Sequence, residues 1–383
     1  MGRRNAYAGF AVFGALWGAW GASLPAIRDQ AGVTDGQLGT ALLFIGAGAL
    51  AAMLLAGRAV DRWPERATAA LLTLLGLVGV VVVVAAHDSS GLALSLALLG
   101  ATSGAADVAI NTAAGSAEPA HGGAVIARAH ATFSAAVVIA SLTTGAVHAA
   151  DLPAAIPFVA VAAAAIVVAA MILATARDDP NPTRADKAET SPGAKRPRLA
   201  PLLVIGGLGA LAFAVENAHQ SWSALYLRDV VGAGPAVAAA GPAVFAGVVA
   251  ASRFVTGPLS GRRPRPALVG GAVLAGAGTA LVAAAGTLAV ALTGLALAAA
   301  GTAVLFPTLI VVLTARVSDR VRGSATSVVT TVAYLGFLAG PAYVGAWADA
   351  VGLPGAMLAV AALALLLAIL AAATVRSRAP LPR

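Results

Sequence analysis

"RDDPNPTRADKAETSPGAKRPR", residues Arg177 to Arg198, is the one long polar interruption of an otherwise apolar chain. Its prolines, acids and bases show no apolar periodicity, which is the composition of a solvated linker. On both sides of it, apolar runs of about 20 residues recur, the length a helix needs to cross a bilayer. Six runs precede it, at approximately 5–27, 36–57, 66–86, 91–113, 124–148 and 153–176. Six follow it, at 200–226, 236–258, 267–285, 287–314, 323–346 and 353–375. The pattern predicts an all-α integral membrane protein with twelve transmembrane helices in two six-helix bundles. The bundles are expected over residues 1–176 and 200–383, with a cytoplasmic linker at 177–199 and a short cytoplasmic tail.

Composition agrees. Of 383 residues, 60% are hydrophobic and 10% charged, and a soluble domain of this length needs more polar residues to cover its surface. With no cysteine, disulfides, thiolate metal sites and cysteine nucleophiles are excluded. The net charge of +8 does not point to nucleic acid, because the bases sit in short loops between apolar runs and form no stripe on one face. The N-terminal apolar stretch exceeds the roughly 7–15 residues of a signal-peptide core. It is read as a retained first span whose inner end is held by Arg3 and Arg4.

Orientation follows from the bias of Lys and Arg toward cytoplasmic loops. One set of connections holds Arg58, Arg62 and Arg66, then Arg128, the linker bases, Arg262, Arg263 and Arg265, and Arg316, Arg320 and Arg322; the tail adds Arg376, Arg378 and Arg383. The opposite set holds only Arg28 and Arg228. Both termini are therefore expected in the cytoplasm, with the chain in the plasma (inner) membrane.

Arg28 and Arg228 lie 200 residues apart, each followed by Asp, in "LPAIRDQAG" and "LYLRDVVGAG". The same offset relates Gly57 to Gly257, Arg62 to Arg262 and Pro64 to Pro264. Matches in polar loops, with equal span counts between them, indicate duplicated halves. Parallel repeats about an axis normal to the membrane are one known transporter design.

A charge at the bilayer centre costs about 2.5–3.5 kcal/mol on insertion scales, so such residues face a cavity or a partner. Three polar stripes stand out. Ser103, Asp107 and Asn111 share one face of span 4; His130, Ser134 and Ser141 follow span 5; Glu216, Gln220 and Ser223 follow span 7, with His219 beside them. One reading is a wet cavity lined by spans 4, 5 and 7, in which Asp107 or Glu216 carries a proton or accepts a solute hydrogen bond. The other is interhelical glue. His130 near the cytoplasmic end also fits pairing with loop groups, and Trp17 and Trp20 fit solute stacking as well as packing or interfacial anchoring. Gly14 and Gly18 form a small-xxx-small pair suited to helix contact. "FPT" at Phe306–Thr308 is expected to kink span 10. The stripes carry few fixed cations, which favours neutral polar or cationic solutes over phosphorylated ones.

"IGGLGAL" from Ile205 lies inside an apolar span, and no G-x-x-x-x-G-K-[ST] occurs. An ATP-driven engine, like H-E-x-x-H and G-x-S-x-G catalysis, is absent from the sequence; neither enzyme activity nor a cofactor is expected.

"GRAVDRWPER", from Gly57, resembles the loop 2–3 signature of the major facilitator superfamily (MFS) through Gly57, Asp61, Arg62 and Arg66. "LWGAWGASLPAIRDQAGVTDGQLGTALLFIGAGALAAM", "DVAINTAA" with "RAHATFS", "ENAHQSWSALYLRD" and "YLGFLAGPAYVG" resemble spans 1–2, 4–5, 7 and 11 of its YbjJ-like, fucose-permease-like branch. The resemblance implies spans 1, 4, 7 and 10 around a central path, alternating access, and gating by Gly57, Asp61, Arg62 and Arg66. It places Asp61 near Arg322 and Gly323 in the outward-open state. Pro64 and Glu65 depart from the signature's second glycine and next base, and span 1 lacks the acid that some proton-coupled sugar carriers of this kind have. The expected function is secondary active transport of a small organic solute, proton-coupled, by a monomer in the lipid bilayer. A proton-driven exporter of amphipathic compounds is the runner-up; a non-transporting sensor or scaffold is the alternative of another class.

Overall fold

The computed structural model describes residues 2–118, 125–176 and 199–375. The linker at 177–198 and the arginines of the tail lie outside the described residues. Within them, the regular elements are helices: α1 (Arg3–Ala31), α2 (Asp35–Arg62), α3 (Pro64–Ala85), α4 (Ser89–Ala117), α5 (Val125–Ala149), α6 (Ala155–Ala174), α7 (Leu199–Asp229), α8 (Pro235–Ala238), α9 (Ala240–Arg262), α10 (Pro264–Ala283), α11 (Leu288–Thr302), α12 (Leu305–Thr314) and α13 (Asp319–Thr374).

Eleven stretches of described helix are long and apolar enough to cross a membrane. The last, Val321–Thr374, breaks at Gly352 (φ 75°, ψ 167°), so α13 supplies two crossings and the twelve expected spans are all present. Span 8 is the short α8 followed by α9. Span 10 is divided into α11 and α12, and the interruption falls at 303–304, just before the expected kink. Pro307 has no N–H and its ring clashes with the carbonyl four residues back, at Ala303, so the regular ladder stops there and restarts at Leu305.

The ends are set locally. Thr34 and Gln37 form a capping box on α2: the Thr34 hydroxyl accepts from Gln37 N–H (3.2 Å) and the Gln37 carboxamide oxygen accepts from Thr34 N–H (3.0 Å). The Asp88 carboxylate caps α4 by accepting from Gly91 N–H at 2.7 Å.

The repeat is visible in the backbone. Gly32 and Gly232 end α1 and α7 with φ of 62° and 73°, a left-handed conformation that glycine adopts without penalty. Trp63 and Arg263, which precede α3 and α10, share φ/ψ of −140°/68° and −137°/69°, and each is followed by a proline opening the helix. A further match appears at Asp151-Leu152-Pro153 and Gly352-Leu353-Pro354, where the first residue has φ of 53° and 75° before the sixth and twelfth spans.

The described residues fall into two compact units: 2–118, 125–176 and 223–247 in one, and 199–222 and 248–375 in the other. In the first, α1 packs on α5, α2 on α4 and α3 on α6, and α8 also sits on α5. Gly14 and Gly18 make the α1–α5 approach possible, because a Cβ at either would strike the carbonyl of Phe133 or Val137. In the second, α10 packs on α11 and α13, around a core that includes Leu268, Leu309, Leu313, Val329 and Leu367.

Candidate functional site

α7 crosses a membrane span and carries Glu216 thirteen residues before its Asp229 end, about 20 Å along the axis at 1.5 Å per residue. Its carboxylate Oε1 accepts from the Gln220 amide at 3.2 Å, one turn further on. The same oxygen meets the Arg253 guanidinium of α9 at 3.5 Å. The stripe Glu216–Gln220 is thus formed as its i, i+4 spacing requires, and its ionic partner is a residue that sequence reading missed. Arg253 stands nine residues before Arg262, where it reads as an outlying member of the basic loop. Its contact with Glu216 of α7, not its position in the sequence, brings its guanidinium to a carboxylate inside a span.

His219, on the same helix, is turned elsewhere. Its ring is 1% exposed; Nδ1 lies 2.8 Å from the Val215 carbonyl and Nε2 lies 3.1 Å from the Thr279 hydroxyl of α10. Both nitrogens are engaged within the unit. Nearby, Asn217 donates to the Phe337 carbonyl at 2.6 Å and fixes α7 to α13. Trp222 Nε1, Ser223 Oγ and Tyr226 Oη are buried without a hydrogen-bond partner among the described residues. This gives α7 more unpaired polar atoms than its stripe predicts.

On α4, Asp107 accepts from the Asn111 amide at 2.9 Å, and that amide also reaches the Asp107 carbonyl at 2.9 Å. The bond stays within one helix. Among the described residues no neighbouring helix supplies a hydrogen-bond partner to the Asp107 carboxylate. Ser103, on the same face, is buried. Helix-to-helix anchoring falls instead to Ser141, which donates to the Gly18 carbonyl of α1 at 3.2 Å. It also falls to Ser23 and His148, whose Oγ and Nε2 are 3.0 Å apart.

His130 is exposed at the start of α5 and stands edge-on to Phe10 (5.0 Å between centroids). Ser134 and Trp17 are half-buried, Trp17 against Phe13, whereas Trp20 is 4% exposed in the core. In the α2–α3 loop Asp61, Arg62 and Arg66 are exposed, Arg62 lies 5.5 Å over the Trp63 ring, and Gly57 has open space around it.

The repeated Arg-Asp pairs come together at the ends of α1 and α7. Arg228 holds Asp29 with two nitrogens (2.6 and 3.1 Å) and its own neighbour Asp229 at 2.6 Å. Arg28 holds Asp229 at 2.8 Å and Asp35 at 2.6 Å. Two cations and three anions make a reciprocal ring in which each arginine binds the other repeat's aspartate.

Duplicated halves and an ion pair within the spans are features shared with carriers. The Major Facilitator Superfamily model matches residues 6–295 and 243–383, which together span almost all of the chain. The chain belongs to the Major Facilitator Superfamily. It is 29% identical to an uncharacterised MFS-type transporter of Yersinia pestis, over 96% of this chain and 94% of that one. It is 28% identical to the membrane protein MosC of Rhizobium meliloti, over 94% and 86%. Among solved structures it is similar to a bacterial homologue of the lysosomal transporter Spinster in an inward-facing, occupied state (TM-score 0.77, 19% identity, 99% and 98% covered). It is also similar to the xylose transporter XylE of E. coli (TM-score 0.77, 12% identity, 99% and 96% covered) and the nucleoside transporter NupG (0.75, 14%, 97% and 98%). This facilitator is therefore a multi-pass secondary transporter and not an enzyme.

Proposed function

We propose that this facilitator moves a small polar organic solute, sugar-like or another metabolite, coupled to protons and by alternating access. It acts as a monomer of the YbjJ-like, fucose-permease-like branch, in the plasma membrane with both termini cytoplasmic. The observation that carries this reading is a carboxylate inside a span of each unit with few partners among the described residues: Asp107 with Asn111, and Glu216 with Gln220 and Arg253. Neither has the close, multiple pairing of a structural ion pair. Each is placed to exchange its present partner for a proton or a solute group.

The Arg28–Asp29–Arg228–Asp229 ring supports alternating access. It closes the ends of α1 and α7 on the side that lacks the basic loops, and opening on that side requires the reciprocal pairs to part. Gating at Gly57, Asp61, Arg62 and Arg66 on the basic side completes the proposed cycle.

The reading is tested by a thermal-shift screen of the purified protein against metabolites, repeated with Asp107→Asn. A solute that stabilises the wild type and loses its effect in the variant identifies class and site together. Solutes that stabilise both proteins equally remove Asp107 from the site.

A further inference from the structure

The Glu216–Arg253 contact differs from the chain's other arginine pairs. Arg228 grips Asp29 with two nitrogens at 2.6 and 3.1 Å, as a bidentate charge-assisted pair does. Arg253 reaches Glu216 through one nitrogen at 3.5 Å, onto an oxygen already shared with Gln220. Its side chain remains 46% exposed, thirteen residues into α9, and its other four N–H donors have no partner among the described residues. An exposed guanidinium beside a carboxylate inside a span meets water or a polar ligand, since hydrocarbon contact carries the insertion cost of a bare charge.

The group is also confined to one half. The 200-residue offset that relates Arg28 to Arg228 and Pro64 to Pro264 places Leu16, Trp20 and Met53 opposite Glu216, Gln220 and Arg253. The first half does without these charges, so the duplicated architecture does not by itself require them.

Resting on the transport reading above, we propose that Arg253 is the anion subsite of this facilitator, and that the solute carries a carboxylate which displaces Glu216 from it. A planar fork of donors matches a carboxylate with two parallel hydrogen bonds. Charge balance selects the monoanion. When the solute carboxylate takes Arg253, Glu216 loses its only ionic partner among the described residues, and Gln220 offers it one neutral hydrogen bond. On α7, the His219 ring is directed at Val215 and Thr279. Glu216 then takes a proton, and one carboxylate enters with one proton. A phosphate dianion leaves the site with an uncompensated negative charge.

The test uses the purified full chain and a thermal-shift titration with gluconate, glucuronate, lactate and benzoate, each beside its neutral alcohol or amide. Wild type, Arg253→Gln, Arg253→Lys and Glu216→Gln are compared, with each variant's unliganded melting point as the check on folding. The expected result is that at least one acid stabilises the wild type while its neutral counterpart does not. Arg253→Gln should weaken that acid about tenfold or more, Arg253→Lys should weaken it less, and Glu216→Gln should bind it more tightly because the competing carboxylate is gone. The proposal is overturned if acids and neutral counterparts act alike, if the acid effect survives Arg253→Gln, or if no acid stabilises the wild type. Stabilisation by neutral solutes alone overturns the anion subsite and leaves the transport reading standing. Failure of every solute, acid and neutral, likewise overturns the anion subsite, while the transport reading stands or falls on the wider metabolite screen.

Discussion

Asp107 and Glu216 have the same kind of environment, reached by the same i, i+4 logic. Each lies in a span, and each accepts from an amide one turn further on: Asn111 at 2.9 Å and Gln220 at 3.2 Å. The spacing was legible because helix geometry stacks such residues on one face. What Glu216 pairs with across the fold was not, since Arg253 is 37 positions away. His219 shows the limit from the other side: it sits beside the stripe in sequence, but packing turns it onto Thr279. His219→Leu is therefore expected to cost stability without removing solute binding. Loss of the buried hydrogen bonds should lower unfolding stability by about 0.6–2 kcal/mol, read as the melting point in detergent, while titration with a bound solute stays within twofold of wild type. Loss of solute binding at an unchanged melting point contradicts that assignment.

Helix ends and helix contacts carry the next level. The apolar runs located all twelve spans, but the helices extend past them where polar caps continue the ladder, as at Arg28 and Asp29 in α1. The division of span 10 at 303–304 was anticipated from Pro307, one turn too late, because proline disrupts the turn before itself. Gly14 and Gly18 had been read as a contact pair, and carbonyls of α5 lie where a Cβ would go. Gly18→Val overpacks that seam and should destabilise the protein by about 1–3 kcal/mol in thermal unfolding. An unchanged melting point refutes the close approach. The charge ring at the ends of α1 and α7 gives a reciprocal test. Arg228→Asp places like charges against Asp29 and should slow transport; adding Asp29→Arg restores an opposite pair and should recover most of the rate. A double variant no better than the single one would show that the ring is not a pair-wise closure.

At the scale of the whole molecule, duplication separates two kinds of residue. The features found twice at a common offset are structural or lie at helix ends: the left-handed Gly32 and Gly232, the prolines that open α3 and α10, and the Arg-Asp pairs. Asp107, Glu216 and Arg253 occur once. The repeat was readable in the loops, where chance identity is low, and unreadable inside the spans, where Ala, Val and Leu match everywhere. Orientation is checked with the chain's own lack of cysteine. Single cysteines at Glu65 or Arg316 should react with an impermeant thiol reagent only from the cytoplasmic side, and those at Asp88 or Asp151 only from outside. The reverse pattern inverts the proposed topology.

The central claim is that proton-coupled accumulation depends on the two carboxylates in the spans. The measurement that tests it most directly is uptake, into proteoliposomes with an imposed pH gradient, of a solute identified by thermal shift. Wild type is compared with Asp107→Asn and Glu216→Gln. The wild type should concentrate the solute above its outside level and lose that excess when a protonophore is added, while both variants should reach equilibrium only. Accumulation at the wild-type level in both variants would contradict the account.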